Sequence, residues 1–247
     1  MLHSKGLYTM TIPLQINTLL FDLDGTLIHH HPSSLDVLFT ILDQHGFPLL
    51  VSAHRDTLKF IFRYWANSDE LQQDLDQYGE FTDDFWLHYL KRKMWAAGLT
   101  ELQTAEIAAE VQAEFNELYQ PETIIPEEVN PTLKALRRKG YKMGLVSNRS
   151  SSVDQEIRDL GFDAYFDFFF TSGDIQIWKP DPGIFEHALY LAESSPEFTA
   201  YIGDNYYTDV VGAKNAGLHP ILYDPRNIFP DADCQVISNI AQLVSQM

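Results

Sequence analysis

Two aspartates, Asp22 and Asp24, stand two residues apart directly after an apolar run, residues 19–21, that reads as a short buried strand. Burying a carboxylate without a partner is expensive, so folding alone explains this pair poorly. Two carboxylates about 4 Å apart repel by several kcal/mol at an effective dielectric constant of about 20. Mg²⁺ removes that repulsion, prefers oxygen ligands and bridges readily to phosphate. The pair therefore indicates a divalent-cation site that handles a phosphate-bearing substrate.

Three more groups of polar residues stand at predicted strand ends or just before a predicted helix. They are Ser147 with Asn148, Lys179 in the Lys-Pro-Asp-Pro stretch 179–182, and Asp204 with Asp209. Ligands bind outside the carboxyl ends of the strands in an open parallel sheet, so all four groups can converge on one crevice. There a lysine and a hydroxyl suit phosphoryl oxygens, and one carboxylate can act as a nucleophile. A second carboxyl group can protonate the leaving oxygen and later activate water.

The elements that must position these residues alternate between strand and helix patterns from about residue 132 to the C-terminus, and glycines end several of the predicted helices. Such alternation with short connections predicts an α/β fold built on a parallel sheet with right-handed crossovers. The predicted strands span residues 19–21, 141–146, 166–170, 200–203 and 219–223. The predicted helices span residues 131–139, 150–160, 182–192, 207–216 and 238–247.

The stretch between the first strand and residue 141 breaks this rhythm. Residues from about 30 to 125 contain no convincing strand, and their apolar residues recur at helical spacing instead. So long a helical segment between the first two strands of a sheet predicts an inserted all-helical domain. We therefore assign residues 1–29 and 126–247 to the sheet domain and residues 30–125 to the insert, with residues 1–16 as a short N-terminal extension.

Some residues next to or within the insert invite further hypotheses. Three adjacent histidines, residues 29–31, suggest a transition-metal site, but an ordinary linker fits them best because consecutive side chains point in different directions and no other ligand stands nearby in sequence. Several basic and aromatic residues of the insert could contact a leaving group, although most lysines and arginines on helices simply face water. They are Arg63, Tyr64, Trp65, His88, Lys91 and Arg92.

The composition limits the classes of partner. The chain is 45% apolar and 13% aromatic over 247 residues, which is enough for one large or two modest domains and excludes a disordered protein. Its 35 acidic and 17 basic residues give a formal net charge of -18, which disfavours nucleic acid and anionic membranes as partners. No apolar run approaches the ~18 residues of a membrane span, and the N-terminus lacks a signal-peptide pattern. With a single cysteine, Cys234, these features lead us to expect a cytoplasmic protein.

In combination, the four groups resemble the signature motifs of the haloacid dehalogenase-like superfamily, and specifically its phosphatases with a helical cap inserted after the first strand. Residues 22–27, Asp-Leu-Asp-Gly-Thr-Leu, match the DxDGT(L) motif of that family without departure. The other three groups fit its phosphate-binding hydroxyl position, its lysine motif and its GDxxxxD acidic motif. Each motif alone is a weak signal, whereas all four occur here in order, from about residue 19 onwards.

The resemblance implies a Rossmann-like parallel-sheet core with a helical cap that closes over the substrate. It also implies that Asp22 is the nucleophile and Asp24 the general acid/base. The residues that would hold the phosphoryl group are Thr26, Ser147, Asn148 and Lys179. The cofactor would be Mg²⁺, with Asp22, Asp24, Asp204 and Asp209 as the implied metal ligands. Of these, Asp24 would contribute its backbone carbonyl, and Asp209 would act through water or by orienting another ligand.

The sequence thus predicts a Mg²⁺-dependent phosphatase that hydrolyses a small phosphorylated metabolite through an aspartyl-phosphate intermediate. A phosphomutase of the same superfamily, similar to β-phosphoglucomutase, stays open because both reactions need Asp22 and Asp24. A non-catalytic binding or regulatory protein with this fold is a further alternative, which the complete set of carboxylates disfavours. A dehalogenase fits poorly, since carbon–halogen displacement needs neither the second aspartate nor a metal. The leaving group, and the choice between monomer and homodimer, stay open.

Overall fold

The structure of the chain, a computed structural model, describes residues 16–247. Its strands are β1 (Thr18–Phe21), β2 (His29–His31), β3 (Glu122–Ile124), β4 (Lys142–Ser147), β5 (Phe168–Thr171), β6 (Thr199–Gly203), β7 (His219–Tyr223) and β8 (Gln235–Ile237). Its α-helices are α1 (Ser34–Gln44), α2 (Val51–Tyr64), α3 (Asp69–Tyr78), α4 (Asp83–Ala96), α5 (Glu101–Leu118), α6 (Val129–Arg138), α7 (Asp154–Asp159), α8 (Ser172–Ile175), α9 (Pro182–Ala192), α10 (Val211–Asn215) and α11 (Gln242–Gln246). A π-helical turn, Tyr206–Val210, leads directly into α10.

Six of the strands form one sheet in the order β5-β4-β1-β6-β7-β8, and every neighbouring pair in it is parallel. All residues of β1 and β6 are buried, as is usual for the inner strands of a parallel sheet. The order of strands reverses at β1, because β4 and β5 lie on one side of it and β6 to β8 lie on the other. Ligands bind parallel sheets at the crevice beside such a reversal, so the topology itself marks the carboxyl ends of β1, β4 and β6.

Helices α9 and α10 pack on this part of the sheet through one apolar cluster. Among its buried members are Leu20 and Val146 from the sheet, Ile184 and Phe185 from α9, and Ala213 from α10. The start of α9 is fixed locally as well, because Pro182 occupies its first turn and the Asp181 side chain accepts the N–H of Gly183 at 2.8 Å. Packing and capping together hold the Lys-Pro-Asp-Pro stretch at the edge of the sheet.

The chain divides into two compact units, one of residues up to 27 together with 125–247, the other of residues 28–124. Helices α1 to α5 belong to the second unit, and hydroxyl side chains cap four of them. The capping residues are Ser33, Ser68, Thr82 and Thr100. A buried apolar cluster joins α1, α4 and α5, so this unit has a core of its own.

The structure corrects the interpretation of the histidines as a linker and the expectation that the insert lacks strands. His29–His31 form β2, which pairs antiparallel with β3, so that His29 faces Ile124 and His31 faces Glu122. Both strands have only three residues, most of them exposed, which is too short and too polar for a period-of-two pattern to show in the sequence. The helical unit therefore begins and ends with paired strands.

Other boundaries differ more modestly. The helix predicted over residues 150–160 begins only at Asp154, because Gly173 donates its N–H to the carbonyl of Arg149 at 3.0 Å and holds the preceding segment in a loop. Strand β8 was not predicted, and the final helix is shorter than the predicted one. The predicted N-terminal extension lies outside the described residues except for its last position, Ile16.

Two further observations concern membrane-spanning helices and the single cysteine. Within residues 16–247, no helix is long and apolar enough to cross a membrane. Burial raises the pKa of the Cys234 thiol to about 11, which suits a buried, unreactive side chain rather than a nucleophile.

Candidate active site

The carboxyl ends of three strands bring three of the predicted site residues to one edge of the sheet. Asp22 follows β1, Ser147 ends β4, and Asp204 follows β6. The strand ladder continues one residue beyond β1, because the N–H of Asp22 donates to the carbonyl of Ile202 at 2.9 Å. Asp22 is only 6% exposed and Ser147 only 1%. The sheet therefore fixes the backbone from which these side chains project.

Two glycines allow the carboxylates to approach closely. Gly25 has φ +81°, and a Cβ atom there would lie 2.3 Å from Oδ2 of Asp204. A Cβ atom on Gly203 would lie 2.3 Å from Oδ2 of Asp209. A larger residue at either position would push a carboxylate away, and at Gly25 it would also strain the backbone. The glycines of the first and last motifs thus have a steric role in assembling the site.

Asp22, Asp204 and Asp209 form a group of three carboxylates, each with one oxygen within 4.8 Å of the others. The π-helical turn delivers Asp209, whose N–H donates to the carbonyl of Asn205 at 2.8 Å and whose Oδ2 accepts the N–H of Asn205 at 3.0 Å. The hydroxyl of Thr26 donates to Oδ2 of Asp22 at 3.3 Å and lies 3.5 Å from Oδ1 of Asp204. Thr26 therefore links the first motif to the last.

Lys179 supplies the positive charge at the centre of this group. Its Nζ donates to Oδ1 of Asp22 at 2.7 Å, to Oδ1 of Asp209 at 2.8 Å and to the hydroxyl of Tyr201 at 2.9 Å. The hydroxyl of Tyr201 in turn donates to the carbonyl of Val146 at 3.1 Å. An ammonium has three N–H donors, and all three are engaged here. Lys179 must therefore exchange one of these partners to bind a phosphoryl oxygen.

The pKa shifts in this group indicate that the single positive charge of Lys179 does not balance the negative charges of the carboxylates. Burial raises the pKa of Asp22 from 3.8 to about 7, an effect that Lys179 opposes and Asp209 reinforces. Burial and the charges of Asp22 and Asp209 raise the pKa of Asp204 well above its usual range. Burial lowers the pKa of Lys179, but Asp209 and Asp22 outweigh burial and hold that pKa well above its usual value. Lys179 is therefore positively charged, while Asp22 and Asp204 resist ionisation.

The donor set fits a divalent cation. Three carboxylates and one ammonium leave two negative charges when all of them are ionised. The donors are all oxygens, which is the ligand type that Mg²⁺ prefers. The full ligand set predicted from the sequence stays a prediction.

Asp24 is not a member of the three-carboxylate group and makes a different contact. Arg149 donates to it through one edge of the guanidinium, from Nε to Oδ2 at 2.8 Å and from Nη2 to Oδ1 at 2.6 Å. Through Nη1, Arg149 also forms an ion pair with Glu156 on α7. No motif in the sequence predicts this role for Arg149, and its position two residues after Ser147 is the only local signal that could have suggested it. Asp22 and Asp24 therefore occupy distinct environments, one deeply buried and one partly exposed.

The side chain of Asn148 holds the lysine loop in place. Its Nδ2 donates to the carbonyl of Lys179 at 3.0 Å, and its Oδ1 accepts the N–H of Lys179 and the hydroxyl of Ser172, each at 2.7 Å. The hydroxyl oxygen of Ser147 accepts the N–H of Arg149 at 3.3 Å. Phosphate binding by Thr26, Ser147, Asn148 and Lys179 stays a prediction. What the side chain of Asn148 does directly is to fix the backbone of Lys179.

Comparisons with known proteins agree with this geometry. The family model described as haloacid dehalogenase-like hydrolase matches residues 16–217. The chain is 30% identical over 212 residues to the Bos taurus protein Haloacid dehalogenase-like hydrolase domain-containing protein 3, covering 85% of this chain and 82% of that protein. It is also 30% identical over 206 residues to Pyrophosphatase PpaX of Bacillus mycoides (strain KBAB4), with coverage of 83% and 81%.

A solved structure extends the comparison to the fold. The 2-Haloacid Dehalogenase from Pseudomonas syringae pv. Tomato DC3000 is 27% identical, with a TM-score of 0.53, and the match covers 94% of this chain and 97% of that one. The predicted α/β fold with a Rossmann-like parallel sheet is confirmed. The family match includes all four motif regions, and those regions meet at one edge of the sheet. The chain belongs to the haloacid dehalogenase-like hydrolase family.

Proposed function

We propose that this hydrolase is a Mg²⁺-dependent phosphatase that cleaves phosphoric monoesters of small metabolites. The observation that carries this proposal is the separation of the two aspartates of the first motif. Asp22 is buried among carboxylates beside Lys179, whereas Asp24 is partly exposed and paired with Arg149. Carboxyl groups in such different environments are suited to different tasks, here nucleophile and proton carrier. Displacing a halide would require only the first of them.

In the first step, a carboxylate oxygen of Asp22 attacks phosphorus while the bond from phosphorus to the leaving oxygen breaks. The electron pair of that bond goes to the leaving oxygen, which takes a proton from Asp24 and departs as an alcohol. The products of this step are an aspartyl-phosphate on Asp22 and an ionised Asp24.

In the second step, Asp24 takes a proton from a water molecule as the water oxygen attacks phosphorus. The bond between phosphorus and Asp22 breaks, which releases inorganic phosphate and restores the carboxylate of Asp22. Asp24 ends the cycle protonated, ready for the next substrate. Both steps therefore use Asp24, in opposite directions.

The remaining residues bind and orient. Ser147 ends β4, the neighbour of β1, and Lys179 reaches Asp22 from the loop before α9. We infer that Lys179 exchanges one of its present partners for a phosphoryl oxygen. Asp22 and Asp204 would hold Mg²⁺, with Asp209 supporting them through the π-helical turn. When bound, the ion would offset the negative charge of the carboxylates and of the phosphoryl oxygens.

We also infer that the helical unit, residues 28–124, is the cap that the family resemblance implies and that it selects the leaving group. The name of the relative PpaX adds inorganic pyrophosphate to the substrates that deserve testing. The test is phosphate release from p-nitrophenyl phosphate, sugar phosphates, phosphoglycolate and pyrophosphate, with Mg²⁺ or with a chelator. We expect release from at least one phosphomonoester that requires Mg²⁺ and is lost in Asp22→Asn.

Other outcomes would replace the proposal. Isomerised sugar phosphate without free phosphate would identify a phosphomutase. Mg²⁺ binding that is lost in Asp204→Asn, with no turnover of any substrate by the wild type, would indicate a binding protein. Halide release from a 2-haloacid, with no phosphate release, would indicate a dehalogenase.

A further inference from the structure

We propose that Arg149 is a positioning residue that orients Asp24 for proton transfer to the leaving oxygen. This inference rests on the proposed phosphatase function, because it concerns a residue of the same site. It assigns a role to a side chain outside the four motif groups. Arg149 makes three sets of contacts that suit this role.

The first contact is the paired hydrogen bond to Asp24. Nε and Nη2 of Arg149 reach different oxygens of the carboxylate, at 2.8 Å and 2.6 Å. Paired contacts of this kind fix the plane of the carboxylate as well as its distance, which a single hydrogen bond does not do. The paired contact holds the ionised form of Asp24, which takes the proton from water, and the protonated form keeps its place through the oxygen that does not carry the proton.

The second contact fixes the guanidinium itself. Nη1 of Arg149 pairs with Glu156 on α7, so that the arginine is held between two carboxylates. The backbone is held as well, since the carbonyl of Arg149 accepts the N–H of Gly173 at 3.0 Å. A Cβ atom on Gly173 would lie 1.9 Å from the carbonyl oxygen of Ser150, so only glycine lets the loop approach this closely.

The third contact joins Arg149 to the phosphate-binding strand end. The N–H of Arg149 donates to the hydroxyl oxygen of Ser147 at 3.3 Å. A hydroxyl that accepts one hydrogen bond still has its own O–H to donate, so this contact orients Ser147 toward an acceptor. One residue thus contacts both the group that carries the proton and a group placed to hold the phosphate.

An ordinary surface ion pair is the alternative reading of Arg149, and the chain offers a matched example. Arg137 in the same unit pairs with Asp167 through Nη1 at 2.7 Å and is 43% exposed at its side chain, whereas Arg149 is 27% exposed. The partners of Arg137 include none of the site residues. Arg137 is therefore a suitable control for the loss of one arginine ion pair from this unit.

The chemistry of the leaving group separates positioning of an acid from a general loss of structure. An alkoxide needs a proton to depart, whereas p-nitrophenolate leaves readily without one. The parameter kcat/KM covers the steps up to departure of the leaving group and is insensitive to hydrolysis of the aspartyl-phosphate. A misdirected Asp24 should therefore lower kcat/KM for an alkyl phosphate much more than for p-nitrophenyl phosphate.

The experiment compares these two substrates, with Mg²⁺, in the wild type, Arg149→Met, Arg149→Lys and the control Arg137→Met. We expect Arg149→Met to lower kcat/KM by about tenfold or more for the best alkyl phosphate and by less than about threefold for p-nitrophenyl phosphate. Arg149→Lys keeps the charge without the paired contact and should restore only part of the selective loss. Arg137→Met should leave the ratio of the two substrates unchanged.

A second background tests whether Arg149 acts through Asp24. In Asp24→Asn, adding Arg149→Met should leave the ratio of the two substrates unchanged, because the group it orients is already absent. Equal losses on both substrates, no loss on either, or a further selective loss in the Asp24→Asn background would overturn the proposal. If Arg149→Met does not fold, Arg149→Lys must show the selective loss by itself. A wild type that releases phosphate from neither ester would instead refute the proposed phosphatase.

Discussion

The two units of the chain each bury a cluster of charged side chains, and the clusters differ in how their charges balance. In the helical unit, Asp74 is 2% exposed and accepts Nε and Nη2 of Arg92 at 2.5 Å and 2.7 Å and the hydroxyl of Tyr64 at 2.9 Å. Nε2 of His88 lies 3.3 Å from the same carboxylate. One carboxylate there meets one arginine and further donors, whereas the sheet unit brings three carboxylates together, two of which pair with Lys179.

This difference favours a structural role for the Asp74 cluster and a reactive role for the carboxylates around Lys179. A buried carboxylate with a paired arginine and all its oxygens bonded is stable as it stands. Crowded carboxylates with raised pKa values are instead suited to a cation and to covalent chemistry. Tyr64, His88 and Arg92 all contact Asp74, and the hypothesis that they also contact a leaving group stays a prediction.

The largest expected contrast between the clusters is in activity. Asp22→Asn removes the proposed nucleophile and should lower kcat for phosphate release by at least about 10³-fold. Asp74→Asn, assayed well below its own unfolding temperature, should keep most of the activity because Asp74 lies outside the proposed catalytic set. Comparable losses in both variants would break the distinction between the clusters.

The next contrast is in stability. Asp74→Asn leaves the partly buried Arg92 without its counter-charge and should lower the free energy of unfolding by about 3 kcal/mol. Urea denaturation followed by tryptophan fluorescence suits this test, because Trp65, Trp86 and Trp95 lie in the helical unit. The double variant Asp74→Asn/Arg92→Met removes both charges and should recover part of the loss. A loss of unfolding free energy in the double variant that exceeds the sum of the losses in the two single variants would argue against a balanced pair.

Mg²⁺ should raise the free energy of unfolding by a similar amount, and this increase should depend on the carboxylates of the sheet unit and not on Asp74. At a concentration about 100 times its Kd, an ion that binds only the folded state stabilises it by about 2.7 kcal/mol. We expect an increase of this size in the wild type and in Asp74→Asn, and little or none in Asp204→Asn. Thermal unfolding with Mg²⁺ or with a chelator measures it. An equal increase in Asp204→Asn would place the ion elsewhere.

A smaller effect is expected in the pH dependence of stability without metal. The pKa of Asp22 is raised on folding, from 3.8 to about 7, so the folded state binds more protons than the unfolded state between these values. The contribution of Asp22 to stability is therefore complete below about pH 4 and is lost as the pH rises through 7. Asn at this position does not titrate, so Asp22→Asn should gain on the wild type in chelator as the pH rises from 5 to 8, by about 2–4 °C in Tm for each kcal/mol. A difference in Tm that is constant over this range would contradict the burial of the Asp22 charge.

The sequence predicted the parallel sheet and the residues at its carboxyl ends well, because apolar runs and glycine stops repeat along the chain and the motifs are local. Long-range partners were out of reach. Arg149 and Asp24 are 125 residues apart, and no local pattern links them. Tyr201 read only as part of a strand, although its hydroxyl binds Lys179.

The same limit applies to the helical unit. Its helices follow from the spacing of apolar residues, but the three-residue strands β2 and β3 do not, because they stabilise each other only by pairing across the whole insert. In the sequence alone, nothing distinguishes Asp74 from the other acidic residues. Only the fold shows that this carboxylate is buried and that Arg92 and His88 lie next to it.

The most direct test mixes the Asp24→Asn variant with p-nitrophenyl phosphate and stops the reaction by rapid quenching. Mass spectrometry then locates the phosphoryl group on the protein. This substrate needs no acid to lose its leaving group, whereas hydrolysis of the aspartyl-phosphate needs Asp24 as the base. The account predicts a burst of p-nitrophenol equal to the enzyme, with one phosphoryl group on Asp22, dependent on Mg²⁺ and absent from Asp22→Asn/Asp24→Asn. Phosphate release without a burst, or a phosphoryl group on another residue, would contradict it.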